Sequence, residues 1–304
     1  MGEKTYKGGY ITVTKKALKI TLIVVVSLAV IIGVFLLVNL YNYKKAVKLL
    51  KNGQYEEAYD LFTILKGFKD SPEKLVEVKK AMLKNAQPGQ RIYFGSYYTG
   101  SDKEYREMKD IAWIVLEVKD GKAMLISEKN IDYEFWGKQN FNDQMLSWED
   151  SFLRNGLNNI FLFKAFSDEE IAKIADTVVV PDEDTHVDRF ADALNKYERV
   201  KENEVVDKVF VLSMSEAMKY FPTDESRKSE PTEYAIRQNR YMEPALFHTV
   251  DLIHDETHSW WLRTRIDTVN DEHFICYVED SGRIVRGSAS NNHALRPVIW
   301  VSME

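Results

Sequence analysis

Two adjacent indoles followed by a guanidinium, Trp260-Trp261-Leu262-Arg263, with Arg265 two residues on, are the side chains best suited to recognition chemistry in this 304-residue chain. Successive side chains of a strand point to opposite faces, so one indole is expected in the core and the other beside a groove. Trp261, Arg263 and Arg265 would then share a face. An exposed indole next to a guanidinium can stack a sugar ring or a peptide side chain. The structural alternative is a buried pair, with Arg263 held by a carboxylate.

Other clusters offer less. His254-Asp255-Glu256-Thr257-His258 sets two histidines four apart, but a zinc protease needs Glu directly after the first His, on a helix. Asp255 stands there, and a polar loop is expected. Asp182-Glu183-Asp184, His186 and Asp188 supply oxygen donors but lack the glycine of an EF-hand loop, so they read as a solvated charge run. Glu149, Asp150 and Arg154 fall within about one helical turn. A carboxylate pair can drive acid–base hydrolysis, yet acids in a first turn also simply favour the helix dipole. No Gly-rich phosphate loop, G-x-S-x-G elbow or Cys/His nucleophile pattern is present. No catalytic residue, metal ligand or cofactor is therefore assigned. The lone Cys276 cannot form an internal disulfide and reads as a small buried hydrophobe.

The elements that must position these residues begin with an apolar run from Ile20 to Leu40, 21 residues without a charge. Such a helix spans about 31 Å, close to the ~30 Å hydrocarbon core, so the bilayer is the first expected partner. No A-x-A-like site follows it, which argues for an uncleaved anchor after a short basic tail, residues 1–19. Lys4, Lys7, Lys15, Lys16 and Lys19 precede the run, while Lys44, Lys45, Lys48 and Lys51 follow it. The positive-inside rule then leans towards a cell-membrane protein with its C-terminal part extracytoplasmic.

Residues 43–86 read as a helical spacer of three helices. Tyr43 to Lys51 stops at Asn52-Gly53; the second helix aligns Tyr55, Ala58, Tyr59, Phe62 and Leu65 and closes at Gly67; the third starts at Ser71-Pro72. Gln87-Pro88-Gly89-Gln90 opens a larger domain, residues 87–304. Its strand patterns flank Asp120-Gly121, a hairpin signal, then give way to helices behind capping boxes at Ser147, Ser167 and Ser213, and return as strands at the end. Residues 182–206 read as a charged surface excursion. The fold class expected is α+β, mainly antiparallel.

The net charge of −6 is uneven: residues 1–19 carry five Lys against one Glu, whereas residues 85–304 carry 26 Lys/Arg against 40 Asp/Glu. An acidic distal domain argues against nucleic acid, whose phosphates select basic faces. The basic residues sit where anionic headgroups would lie.

Trp113-Ile114-Val115-Leu116, Ala123-Met124-Leu125-Ile126-Ser127, Ser147-Trp148-Glu149, Leu157-Asn158, Val209-Phe210-Val211-Leu212-Ser213, Trp260-Trp261-Leu262-Arg263 and Leu295-Arg296-Pro297-Val298 follow one another in an order that resembles a family of uncharacterised domains common in Gram-positive bacterial proteins. The resemblance covers about residues 88–304, and its WWLR and RP motifs are its most specific part. It is similar, more distantly, to the C-type-lectin and formylglycine-generating-enzyme fold. That implies a compact sheet with irregular loops and a ligand-binding edge. The paired cysteines of the latter and the Ca²⁺-binding motifs of sugar-binding lectins are absent. The segment from Leu49 to Leu75 likewise resembles a tetratricopeptide-type hairpin, which would serve as a spacer or a peptide contact.

Three functions fit these features. The first is a membrane-anchored extracytoplasmic binding module for an envelope polysaccharide or protein. The second is a scaffolding subunit that docks a membrane protein through the spacer. The third is a carboxylate-dependent hydrolase.

Overall fold

The computed structural model describes residues 15–100, 108–136, 147–180, 182, 197–199, 203–242, 259–268 and 273–304. His254 and His258 lie outside the described residues, as do Glu183, Asp184, His186 and Asp188. The chain is α+β, and divides into two compact units, one ending at Val78 and the other running from Lys79 to Glu304.

In the first unit α1 (Lys15–Lys51) is one unbroken helix of 37 residues. Its apolar side chains are exposed all round, Leu22 at 64% and Leu37 at 67%, for example. It is long and apolar enough to cross a membrane. The break expected between Leu40 and Tyr43 is absent, because nothing there is Gly or Pro and the amphipathic turns simply continue. Helix α2 (Tyr55–Leu65) buries Ala58, Tyr59, Phe62 and Leu65. Tyr43 packs edge-on to Phe62 at 6.2 Å and donates to Asp70 at 2.5 Å. Lys66, rather than Gly67, takes the left-handed conformation that ends α2, with φ 46°. Helix α3 (Ser71–Lys84) runs across the boundary between the units.

The second unit holds strands β1 (Arg91–Tyr98), β2 (Met108–Lys119), β3 (Lys122–Ser127) and β4 (Asp132–Phe135), then α4 (Phe152–Gly156), a π-helical turn over Leu157–Phe161, α5 (Leu162–Ala165) and α6 (Asp168–Lys173). Next come β5 (Thr177–Val179), β6 (Tyr197–Arg199), β7 (Val205–Asp207), β8 (Val209–Phe210), α7 (Met214–Tyr220), α8 (Asp224–Arg227) and α9 (Glu233–Met242). The last strands are β9 (Trp260–Thr268), β10 (His273–Val278), β11 (Ile284–Gly287), β12 (Asn292–Leu295) and β13 (Val298–Ser302).

One sheet is ordered β1-β2-β3-β13-β8; a second is ordered β11-β10-β9-β12-β4 with β6 also on β9; β5 and β7 form a separate ribbon. Among the described residues, the strand pairings are antiparallel except β12 with β9. The β2–β3 hairpin turns at Asp120-Gly121 as expected. Both residues have positive φ, 50° and 70°, the geometry of a type I′ turn. Within the charged stretch 182–206 the described residues include β6 and the start of β7.

Capping boxes form at Ser167 with Glu170 and at Ser213 with Glu216. The box expected at Ser147 does not. Ser147 closes a turn with Asp150, accepting from its N–H at 3.2 Å, and Ser151 caps α4 by accepting from the Arg154 N–H at 3.1 Å. Glu149 and Asp150 thus precede the N-cap rather than occupying the first turn.

Candidate functional site

The Trp-Trp-Leu-Arg motif lies on β9, a central strand with β10 on one side and β12 on the other. Both indoles are fully buried. The Trp260 N–H donates to the Arg227 carbonyl at 3.0 Å and the Trp261 N–H to the Glu134 carbonyl at 2.8 Å, so neither leaves a donor unpaired. Trp261 packs between Trp136 at 5.8 Å and His293 at 4.4 Å. Arg263 is 6% exposed; it donates to the Val211 carbonyl at 2.8 Å and the Val180 carbonyl at 3.3 Å, and grips both oxygens of Glu216. Arg265 is partly exposed, with His273 Nδ1 at 3.1 Å.

The three residues expected to make one binding strip therefore occupy three different surroundings. Two features account for it. Both faces of this strand are covered, since every residue from Trp260 to Thr264 is buried. The β9–β10 register also shifts between Ile275 and Tyr277, and there the Arg263 N–H turns to the Leu212 carbonyl at 2.9 Å. Arg296 of the second motif is also buried, its guanidinium 4.9 Å from the Trp260 ring and 5.0 Å from that of Phe221. Cys276 is buried on β10, as expected.

The polar side chains that reach solvent together do so elsewhere. A cleft of about 450 Å³ is lined by Glu149, Asp150, Ser151, Arg154, Asn155, Asn158, Asn159, Asp176, Val206, Asp207 and Lys208. Its base is Asp207, which accepts from the Trp148 indole at 2.9 Å and the Arg154 Nε at 2.8 Å. Burial raises the Asp207 carboxyl above its ordinary value, and the indole and guanidinium work against that rise.

Arg154 also donates to the Glu149 carbonyl at 3.0 Å, which fixes the turn holding Glu149 and Asp150. Asn158 clamps the opposite wall. Its amide donates to the Val209 carbonyl at 2.8 Å, and its oxygen accepts from the Lys208 and Val209 N–H groups, both at 3.1 Å. The π-helical turn begins one residue earlier, with the Leu162 N–H bonded to the Leu157 carbonyl. Such an insertion re-aims the side chains around it and recurs at functional sites. Asn155 and Asn159 stay exposed, 3.3 Å apart, as does Asp176, whose carboxylate meets Lys208 Nζ at 3.1 Å.

Of this cleft, Glu149, Asp150 and Arg154 were legible as a polar cluster in the sequence. Asn155, Asn159 and Asp176 belong to no motif and were not, and neither were Asp207 and Lys208, which lie 53 and 50 residues from Arg154 and Asn158. Among the described residues no group of three or more His, Cys, Asp or Glu could hold a metal.

The second unit is thus an α+β domain of mostly antiparallel sheets whose polar groups converge on one cleft. By its sequence, this chain belongs to the family described as Domain of unknown function (DUF6273), whose model matches residues 120–303. That span runs from the β2–β3 turn through β13 and includes both buried motifs. No curated protein and no solved structure matches the chain.

Proposed function

We propose that this protein is a membrane-anchored binding module. In this reading α1 spans the cell membrane, the distal domain is extracytoplasmic and C-type-lectin-like, and its ligand is a polysaccharide of the envelope. The observation that carries the reading is the cleft itself. Asn155, Asn159, Asp150 and Asp176 present planar amide and carboxylate groups at its exposed wall, and hydroxyl-rich ligands are held by such groups.

Hydrolysis is less well supported by the same geometry. It requires a free carboxylic acid facing a carboxylate, and the one buried carboxylate here, Asp207, has both oxygens engaged.

The test is a glycan-array screen of the full chain in nanodiscs, with Asn155→Ala and Asn159→Ala alongside. Retention of one class of glycan, weakened at least about tenfold by either substitution at unchanged melting temperature, is expected. Retention of none, or binding indifferent to both substitutions, would overturn the reading.

A further inference from the structure

A second, smaller hollow of about 200 Å³ shares the wall residue Asp176 with the cleft. Trp300 on β13 lines it. Trp113, Trp136, Trp148, Trp260 and Trp261 are all buried, whereas Trp300 is partly exposed. A partly exposed indole on a sheet whose other tryptophan, Trp113, is enclosed offers an apolar plate with polar surroundings, the arrangement that stacks a pyranose ring. Its position is fixed: the Ala175 N–H donates to the Trp300 carbonyl at 2.8 Å, and β13 is paired with β3 at Met124. The type I′ turn between β2 and β3 sets Lys119 and Lys122 on the hollow, both exposed and able to donate to hydroxyls. They balance Asp120 and Asp176. A neutral lining gives a polyanion no advantage and suits an uncharged ring.

We propose that Trp300 is a second sugar subsite, so that the ligand is an uncharged pyranose chain reaching from the cleft past Asp176 onto this indole. The inference rests on the glycan-binding reading of the cleft and adds to it the length and charge of the ligand. The test titrates the full chain in nanodiscs with β-1,4-linked glucose and β-1,4-linked N-acetylglucosamine oligomers, from disaccharide to hexasaccharide.

In one of the two series affinity rises about tenfold or more with length, and the longer oligomers alone change the tryptophan fluorescence. Trp300→Ala removes that rise and leaves the disaccharide affinity in place; Trp300→Phe keeps part of the rise and loses the fluorescence change. Binding that does not depend on length, or that Trp300→Ala weakens equally at every length, overturns the subsite and leaves the cleft reading standing. Failure of both series to bind at any length overturns the uncharged chain, and the array result then decides the cleft separately. Circular dichroism of the Ala and Phe variants separates loss of fold from loss of the plate.

Discussion

Arg263 holds acceptors from three elements at once, the carbonyls that follow β5 and β8 and the carboxylate of α7. Arg263→Ala would strand a carboxylate and two carbonyls, and a loss of about 3 kcal/mol in urea unfolding is expected, with Lys a poor substitute for the two-pronged grip. Trp260→Ala and Trp261→Ala should each lose about 3–5 kcal/mol, because both rings are enclosed; a variant that melts like the wild type would contradict their burial. A sequence shows that a tryptophan pair alternates across a strand, but not that both faces of the strand are covered, and that one fact turns Trp261 and Arg263 into core. The motifs that make the family recognisable are therefore packing residues. Two titrating groups act in opposite directions. Burial lowers His293 from 6.5 to about 3, so between those values the unfolded chain binds the extra proton and acid weakens the fold by about 1.4 kcal/mol per pH unit. Burial raises Asp132 from 3.8 to about 6 against the donations of Tyr97 and the Tyr133 N–H, so there the folded chain holds the extra proton and acid strengthens the fold. Their slopes oppose each other over about pH 4–6. Asp132→Asn should unmask the histidine, its stability relative to wild type falling steadily as pH drops through that window in urea melts. A difference independent of pH would remove the assignment.

At the level of elements, short-range chemistry is legible in the sequence and long-range pairing is not. The Asp120-Gly121 hairpin and the Ser167 and Ser213 boxes each depend on residues at most three apart, so their residue types suffice. The Ser147 box failed because the same spacing also closes a turn, and only the packing of Trp148 onto Asp207 selects the turn. The turn between β10 and β11, at Asp280-Ser281-Gly282, takes its tightest constraint from α8. Gly282 has φ 85°, and a Cβ there would lie 1.8 Å from the Asp224 carbonyl oxygen. Its own carbonyl accepts from Arg227 Nε at 2.8 Å. Gly282→Ala should thus lose about 1–3 kcal/mol from backbone strain alone, and more from the collision with α8. Asp280→Ala, outside that contact, serves as the control, and equal melting temperatures for the two would show that α8 does not press on the turn.

For the whole molecule the deciding element is α1. Its 37 residues extend about 56 Å against a hydrocarbon thickness of ~30 Å, so if it spans a bilayer roughly half of it stands in the headgroups and beyond. The apolar run from Ile20 to Leu40 has no polar face to pack on protein, which favours lipid as its surroundings. Beyond it Lys44, Lys45, Lys48 and Lys51 are exposed on continuous helix, while five lysines precede or open the run. A five-to-four balance leaves orientation to small additions. The distal domain carries the opposite charge, 26 Lys/Arg against 40 Asp/Glu over residues 85–304, and long domains cross regardless of their charge. The prediction is an extracytoplasmic distal domain. Protease added to intact cells should remove a C-terminal tag and spare an N-terminal one, and permeabilised cells should lose both. Replacing Lys4, Lys7, Lys15, Lys16 and Lys19 with Gln should shift part of the population to the reverse pattern, because the basic residues after the run would then dominate. Complete protection of the C-terminal tag in intact cells would place the cleft inside the cell, where an envelope polysaccharide could not reach it.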